Sequence, residues 1–250
     1  MNHPQDHFSN IAAAYKDGRI TYPRELYEYL VTLCGGRGCA WDCATRSGQA
    51  ASDLSAYFDR VVATDISDSL LSYATDKENI EFVNAPAEDS GLASESVDLV
   101  TVAQAIHWFD FDLFWSEVSR VLKPNGILAY WGYVWPQVNV PIDALLGEFR
   151  ATIEGYWPEK SHHLHSRYDN VDAPLKRIKN PDFYISENWS LNQYLKHLSS
   201  WSGTRYHREA TMTDVVSDRE EGFGFLWGDE IHRVQWPLIL KVYRKADQGS

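Results

Sequence analysis

The stretch Cys39-Ala40-Trp41-Asp42-Cys43-Ala44-Thr45-Arg46-Ser47-Gly48-Gln49, followed by Val61-Val62-Ala63-Thr64-Asp65, constrains this chain more than any other. A short apolar run, a turn of small residues, a helix-period segment and a second apolar run closing on an acid read as strand, tight loop, helix and strand. An acidic residue about 20 positions beyond such a turn is placed to accept hydrogen bonds from ribose hydroxyls. Asp65 lies 23 positions after Asp42. The loop itself is poor in glycine. Backbone that closely approaches a nucleotide favours glycine, yet Ala44 and Arg46 occupy two of the expected places, and only Gly48 supplies one.

The alternation continues. Helical spacing follows from Ser47, with Ala50, Leu54, Tyr57 and Phe58 on one side, and Ser67 or Asp68 caps a short helix. Strands are expected at Ile80–Val83 and Val97–Ala103, the latter a nearly continuous apolar run suited to a central parallel strand. An amphipathic helix carries Phe111, Phe114, Trp115, Val118, Val121 and Leu122, stopped by Lys123-Pro124-Asn125-Gly126, and a fifth strand covers Ile127–Tyr133. Five β-α alternations over 39–133 predict a parallel sheet with right-handed crossovers, whose ligands sit at the carboxyl ends of the strands. The segments Asp42–Gly48, Asp65 and Gln104–Asp110 should therefore converge.

Composition narrows the partners. A formal net charge of −12 repels phosphate backbones, which argues against nucleic acid. No apolar run reaches the roughly 18 residues a membrane span needs, and Met1 to Asn10 lacks a basic-then-apolar leader pattern. Cys34, Cys39 and Cys43 read as reduced core thiols in a cytoplasmic protein. Aromatic residues make up 14% of the chain, many in its second half, as an aromatic-walled pocket or a core of large side chains. Ser161-His162-His163-Leu164-His165 gathers three imidazoles, but no carboxylate or cysteine stands at tight ligand spacing, so a solvated loop is expected and no metal.

Outside the alternating core, a helix-like segment over Phe8–Tyr15 is followed by a second helix carrying Leu26, Tyr29, Leu30 and Leu33. Beyond 134, helices are expected from Ile142 to about Glu154, after the cap Ser190, and over 204–221. Asp182–Ser186 and Val234–Tyr243 read as strands, the second with a bulge or edge at Pro237. The chain thus reads as one domain: cap helices over 1–34, a binding core over 35–133, a substrate-side insertion over 134–222, a closing strand over 223–244 and a tail over 245–250.

The segments Asp42 to Gln49, Val61 to Asp65, Ala87-Glu88-Asp89 and Asp98 to Asp110 together resemble Rossmann-like S-adenosylmethionine-dependent methyltransferases. The run Gln104-Ala105-Ile106-His107-Trp108-Phe109-Asp110, with Tyr15, Arg19, Tyr22-Pro23 and Trp236-Pro237-Leu238, resembles the subgroup that contains trans-aconitate methyltransferases. The resemblance implies an α/β fold with a seven-stranded, mostly parallel sheet of order 3-2-1-4-5-7-6, helices on both faces and a helical lid over 186–222. Strand six would lie near Asp182–Ser186 and an antiparallel strand seven near Val234–Tyr243. It also implies S-adenosylmethionine as cofactor. Asp42 and Ala44, Thr45, Arg46, Gly48 and Gln49 would belong to the loop facing the methionine part, and Asp65 would hold the ribose. Ile66 would flank the adenine, Ala87 and Glu88 would meet its edge, Gln104 and Ala105 would lie beside the sulfonium, and Tyr15 and Arg19 would close over the site.

The residues leave several roles open. His107 is either packed or substrate-lining, Arg19 a ligand clamp or a surface charge, and Trp108 and Phe109 read as core. No nucleophile–base pair stands out, which suits O-methylation of a carboxylate on a small molecule, since that acceptor needs no general base. A nicotinamide enzyme would need Gly-x-Gly-x-x-Gly at the first turn, which is missing. Where the family carries three loop glycines, Arg46 either swings outward and leaves binding intact, or fills part of the site. The second outcome would make the chain a binding module with weakened or lost cofactor affinity. The sequence is compatible with a monomer or a homodimer.

Overall fold

The computed structural model describes residues 20–74 and 77–247. Tyr15, Arg19 and the helix-like segment before them lie outside these residues. The chain divides into two compact units: residues 1–132, 170–183 and 238–250 form the first, and residues 133–169 and 184–237 the second.

The first unit is built on a seven-stranded sheet. Its strands are β1 Cys39–Cys43, β2 Arg60–Asp65, β3 Ile80–Asn84, β4 Val97–Ala103, β5 Leu122–Gly132, β6 Lys176–Ile178 and, from the far end of the chain, β9 Ile239–Arg244. They lie in the order β3-β2-β1-β4-β5-β9-β6. Numbered within the sheet this is 3-2-1-4-5-7-6. The strands from β3 to β5 pair in parallel, while β9 runs antiparallel to both neighbours. β1 is buried along its whole length and β4 over all but its last residue, as expected for strands covered on both faces. Trp41 in β1 buries its ring and donates its indole N–H to Thr64 of β2 at 2.9 Å.

Among the described residues this unit carries the helices α1 Arg24–Leu33, α2 Gln49–Leu54, α3 Asp68–Leu71 and α4 Phe111–Val121. α1 opens after Pro23, whose fixed φ suits a helix start. α4 opens with the Asp110 carboxylate accepting from the Leu113 N–H. It turns Phe114, Trp115, Val118 and Val121 onto the sheet side. The chain passes from α4 directly into β5 at Leu122, so Lys123-Pro124-Asn125 belongs to the strand rather than to a helix stop.

Two strand assignments need correction. Strand six of the sheet is Lys176–Ile178, not 182–186. The run Val234–Tyr243 is not one strand. Pro237 ends β8 (His232–Pro237), which pairs antiparallel with β7 (Tyr184–Trp189) in a separate two-stranded sheet of the second unit, and β9 begins at Ile239. Proline removes a ladder donor, so the chain changes sheets where the sequence suggested a bulge.

The second unit adds α5 Val140–Ile153, α6 His162–His165, α7 Leu191–Ser200, α8 Ser202–Thr211 and α9 Glu220–Trp227. The helix read over 204–221 is broken at Met212, whose φ of 60° ends α8. Within this unit Trp135, Trp157, Trp201 and His165 form one ring cluster, with centroids 4.7–6.0 Å apart. The Arg150 guanidinium stacks 3.8 Å from the Trp135 ring centre. His165, expected in a solvated loop, packs in this cluster, and burial lowers its pKa to about 4.

Candidate functional site

The sheet order reverses between β1 and β4, so the crevice of the first unit opens where their carboxyl ends diverge. The loop after β1 is pinned from below by Asp42. Its buried carboxylate accepts from Thr45 Oγ1, from Thr101 Oγ1 of β4 at 2.9 Å and from the Ala51 N–H of α2 at 3.0 Å. One side chain thereby ties strand, loop, helix and neighbouring strand. Burial raises its carboxyl pKa to about 6, against the lowering effect of those donors.

The loop above takes three left-handed turns. Ala44, Arg46 and Gly48 have φ of 55°, 58° and 77°. A non-glycine residue such as Arg46 carries strain on the order of 1–2 kcal/mol in this conformation. Gly48 has a further constraint: a Cβ there would meet the Phe82 ring at 2.7 Å.

Asp65 closes β2. Its Oδ2 accepts from the Arg46 N–H and its Oδ1 from the Ser67 N–H, both at 2.9 Å. Desolvation raises its carboxyl pKa, while these backbone donors and the Arg46 charge act to lower it. An ionised carboxylate offers about four acceptor positions, and the backbone donors of Arg46, Ser67 and Ile66 all act on this one.

Above these groups lies a cavity of about 320 Å³, within the roughly 300–1,000 Å³ range of small-molecule sites. Ala44, Arg46, Asp65, Ile66, Ala87, Glu88, Gln104 and Ala105 all line it. Glu88 also accepts from the Asp110 N–H at 2.9 Å, which joins the loop after β3 to the start of α4. Gln104 follows β4 at φ 57°, its N–H bonded to the Trp131 carbonyl. Three non-glycine residues in the left-handed region, Ala44, Arg46 and Gln104, thus share one wall. Backbone strain of this kind gathers at ligand sites.

Other residues singled out in the sequence lie elsewhere. Asp42 and Thr45 are buried beneath the loop, Gly48 packs on Phe82, and Gln49 donates to the Ile20 carbonyl at 2.8 Å. His107 is buried, with its ring 5.0 Å from that of Trp108, and does not line the cavity. Trp108 and Phe109, read as core, instead line the cavity, and Trp108 is 41% exposed. Aromatic rings in a short segment after a strand look alike whether they face a core or a ligand, which is why the sequence misplaced them. Ala85 and Ala103, at strand ends, and Ser67 and Leu70, the cap and a residue of α3, complete the wall, and none of them had a part in the site as read from the sequence. Among the described residues no group of three His, Cys, Asp or Glu side chains is arranged to hold a metal ion.

A family described as a methyltransferase domain matches residues 41–130, which hold the loop and every described residue lining the cavity. A protein of Dictyostelium discoideum named as a methyltransferase is 32% identical, across 98% of this chain and 89% of its own. The chain belongs to the class I S-adenosylmethionine-dependent methyltransferase family. A Saccharomyces cerevisiae relative, named as an S-adenosylmethionine-dependent methyltransferase, is 30% identical over 76% of this methyltransferase chain and 78% of its own. A solved structure from Anaeromyxobacter dehalogenans, described as a type II methyltransferase, superposes with a TM-score of 0.87 at 33% identity, covering 92% of this chain and 99% of that one. Membership in this methyltransferase family implies S-adenosylmethionine as the cofactor, and the cavity's residues fit such a group: carboxylates and an amide for hydroxyl and amino groups, apolar walls for a flat base.

Proposed function

We propose that this methyltransferase binds S-adenosylmethionine in the 320 Å³ cavity and transfers its methyl group to a carboxylate of a small organic acid, as in the trans-aconitate subgroup that its Gln104–Asp110 run resembles. The observation that carries the cofactor assignment is Asp65, a buried carboxylate at the end of β2 that lines the cavity and can accept from the hydroxyls of a ribose. Ile66 and Leu70 supply apolar surface for an adenine, Glu88 an acceptor for its amino group, and Gln104 and Ala105 the wall beside the sulfur. When bound, the cofactor supplies a methyl group already activated by a positive sulfur. The protein's contribution is alignment and exclusion of water. A carboxylate acceptor is itself the nucleophile, and among the described residues lining the cavity no nucleophile–base pair is present.

The net charge of −12 supports a small-molecule acceptor over nucleic acid. Cys34, Cys39 and Cys43, all free thiols, support a reducing, cytoplasmic setting, and no helix among the described residues is long and apolar enough to cross a membrane. We infer a monomer or a homodimer.

A thermal-shift titration tests the cofactor. At one hundred times Kd, a ligand adds about 2.7 kcal/mol of stability. S-adenosylmethionine and S-adenosylhomocysteine should raise Tm and NAD should not; no shift with either sulfur nucleotide rejects the reading. An assay with labelled methyl donor across a panel of small di- and tricarboxylic acids tests the acceptor, and base-labile label on the product is the expected sign of an ester.

A further inference from the structure

Arg46 stands where glycine would adopt the same backbone freely, and its backbone N–H is held by Asp65. The chain nevertheless keeps a long cationic side chain at this strained place on the cavity wall. Among the described residues that line the cavity, Asp65 and Glu88 carry negative charges and Arg46 a positive one. S-adenosylmethionine presents hydroxyls, amino groups and a sulfonium, all of which suit acceptor atoms or apolar walls. It has one anion, the carboxylate of its amino-acid end. A guanidinium has five donors, no acceptor, and a planar fork that matches a carboxylate.

We propose that Arg46 grips the carboxylate of S-adenosylmethionine, so that the residue replacing the loop glycine is a ligand for the cofactor rather than an obstruction to it. The assignment rests on the cofactor reading above and adds one thing to it: the charge pairing at the cofactor's amino-acid end comes from the loop after β1.

Calorimetric titration separates the possibilities. Wild type, Arg46→Gln, Arg46→Gly and Arg19→Gln are each titrated with S-adenosylmethionine and with decarboxylated S-adenosylmethionine, which differs by the carboxylate alone. The expected result is a double-mutant cycle with strong coupling. Arg46→Gln and Arg46→Gly weaken S-adenosylmethionine about tenfold or more, the scale of a charge-assisted bond, and leave the decarboxylated compound unchanged. Arg46→Gly also melts at a higher temperature than wild type without ligand, so its lost affinity is not lost folding. Three outcomes overturn the proposal while the cofactor reading stands: unchanged or tighter S-adenosylmethionine binding by the Arg46 variants, equal weakening of both compounds, or coupling that appears in Arg19→Gln instead. Failure of wild type to bind either compound overturns both.

Discussion

At Gly48 two independent constraints coincide: φ is 77°, and a Cβ would lie 2.7 Å from the Phe82 ring. Ala44 and Arg46 meet only the first, which is why glycine persists at one of three similar turns. Gly48→Ala should therefore cost about 2–4 kcal/mol, combining left-handed strain with overpacking, and Phe82→Leu in the same chain should recover part of it; urea midpoints of the single and double variants measure both. Asp42 sets a pH dependence. Burial lifts its carboxyl from 3.8 to about 6 on folding, so between these values the folded chain binds more protons than the unfolded chain, and this group lowers stability as pH rises through the window. Asp42→Asn cannot titrate. Its stability relative to wild type should improve by about 2–3 kcal/mol between pH 4 and pH 7, and a difference that stays constant with pH would show that another group is responsible.

Among the elements, the capping box of α7 offers a clean measurement. Ser190 accepts from the Gln193 N–H, and the Gln193 side chain accepts from the Ser190 N–H. Ser190→Ala should cost about 1 kcal/mol in thermal or urea unfolding; no loss would mean the cap is replaced by solvent. Ser190 was legible in the sequence, as were β1 to β5, because the central strands are buried apolar runs, β3 is a short apolar-rich run at the sheet edge, and the long helix α4 carries a clear apolar face. β6 was not. Its three residues, Lys-Arg-Ile, show no period, and they form a strand only because β9 offers them an edge. The division of Val234–Tyr243 was hidden for the same reason, since either sheet could accept its apolar residues. The cavity followed a similar pattern. Asp65 and Gln104 could be placed from strand ends and Glu88 from the family resemblance, whereas Ala85, Ala103 and Leu70 are small or aliphatic residues whose role depends on what faces them.

At the scale of the whole molecule, the tryptophans divide unevenly. Trp135, Trp157, Trp189, Trp201, Trp227 and Trp236 belong to the second unit, while Trp41, Trp108, Trp115 and Trp131 belong to the first. Only Trp108 lines the cavity. Binding of S-adenosylhomocysteine should alter intrinsic fluorescence through this residue, and Trp108→Phe should abolish the change while calorimetry still detects binding. A signal that survives the substitution would place the ligand elsewhere. The connectivity also has a consequence for the order in which the protein is made. β9 lies between β5 and β6, yet it is encoded after both and after every residue of the second unit. A ribosome therefore exposes the strands of the binding core early, with one side of β5 open, and supplies the strand that covers it only when residues 239–244 emerge. Until then the growing chain presents a bare sheet edge, the kind of surface on which nascent chains aggregate or engage chaperones.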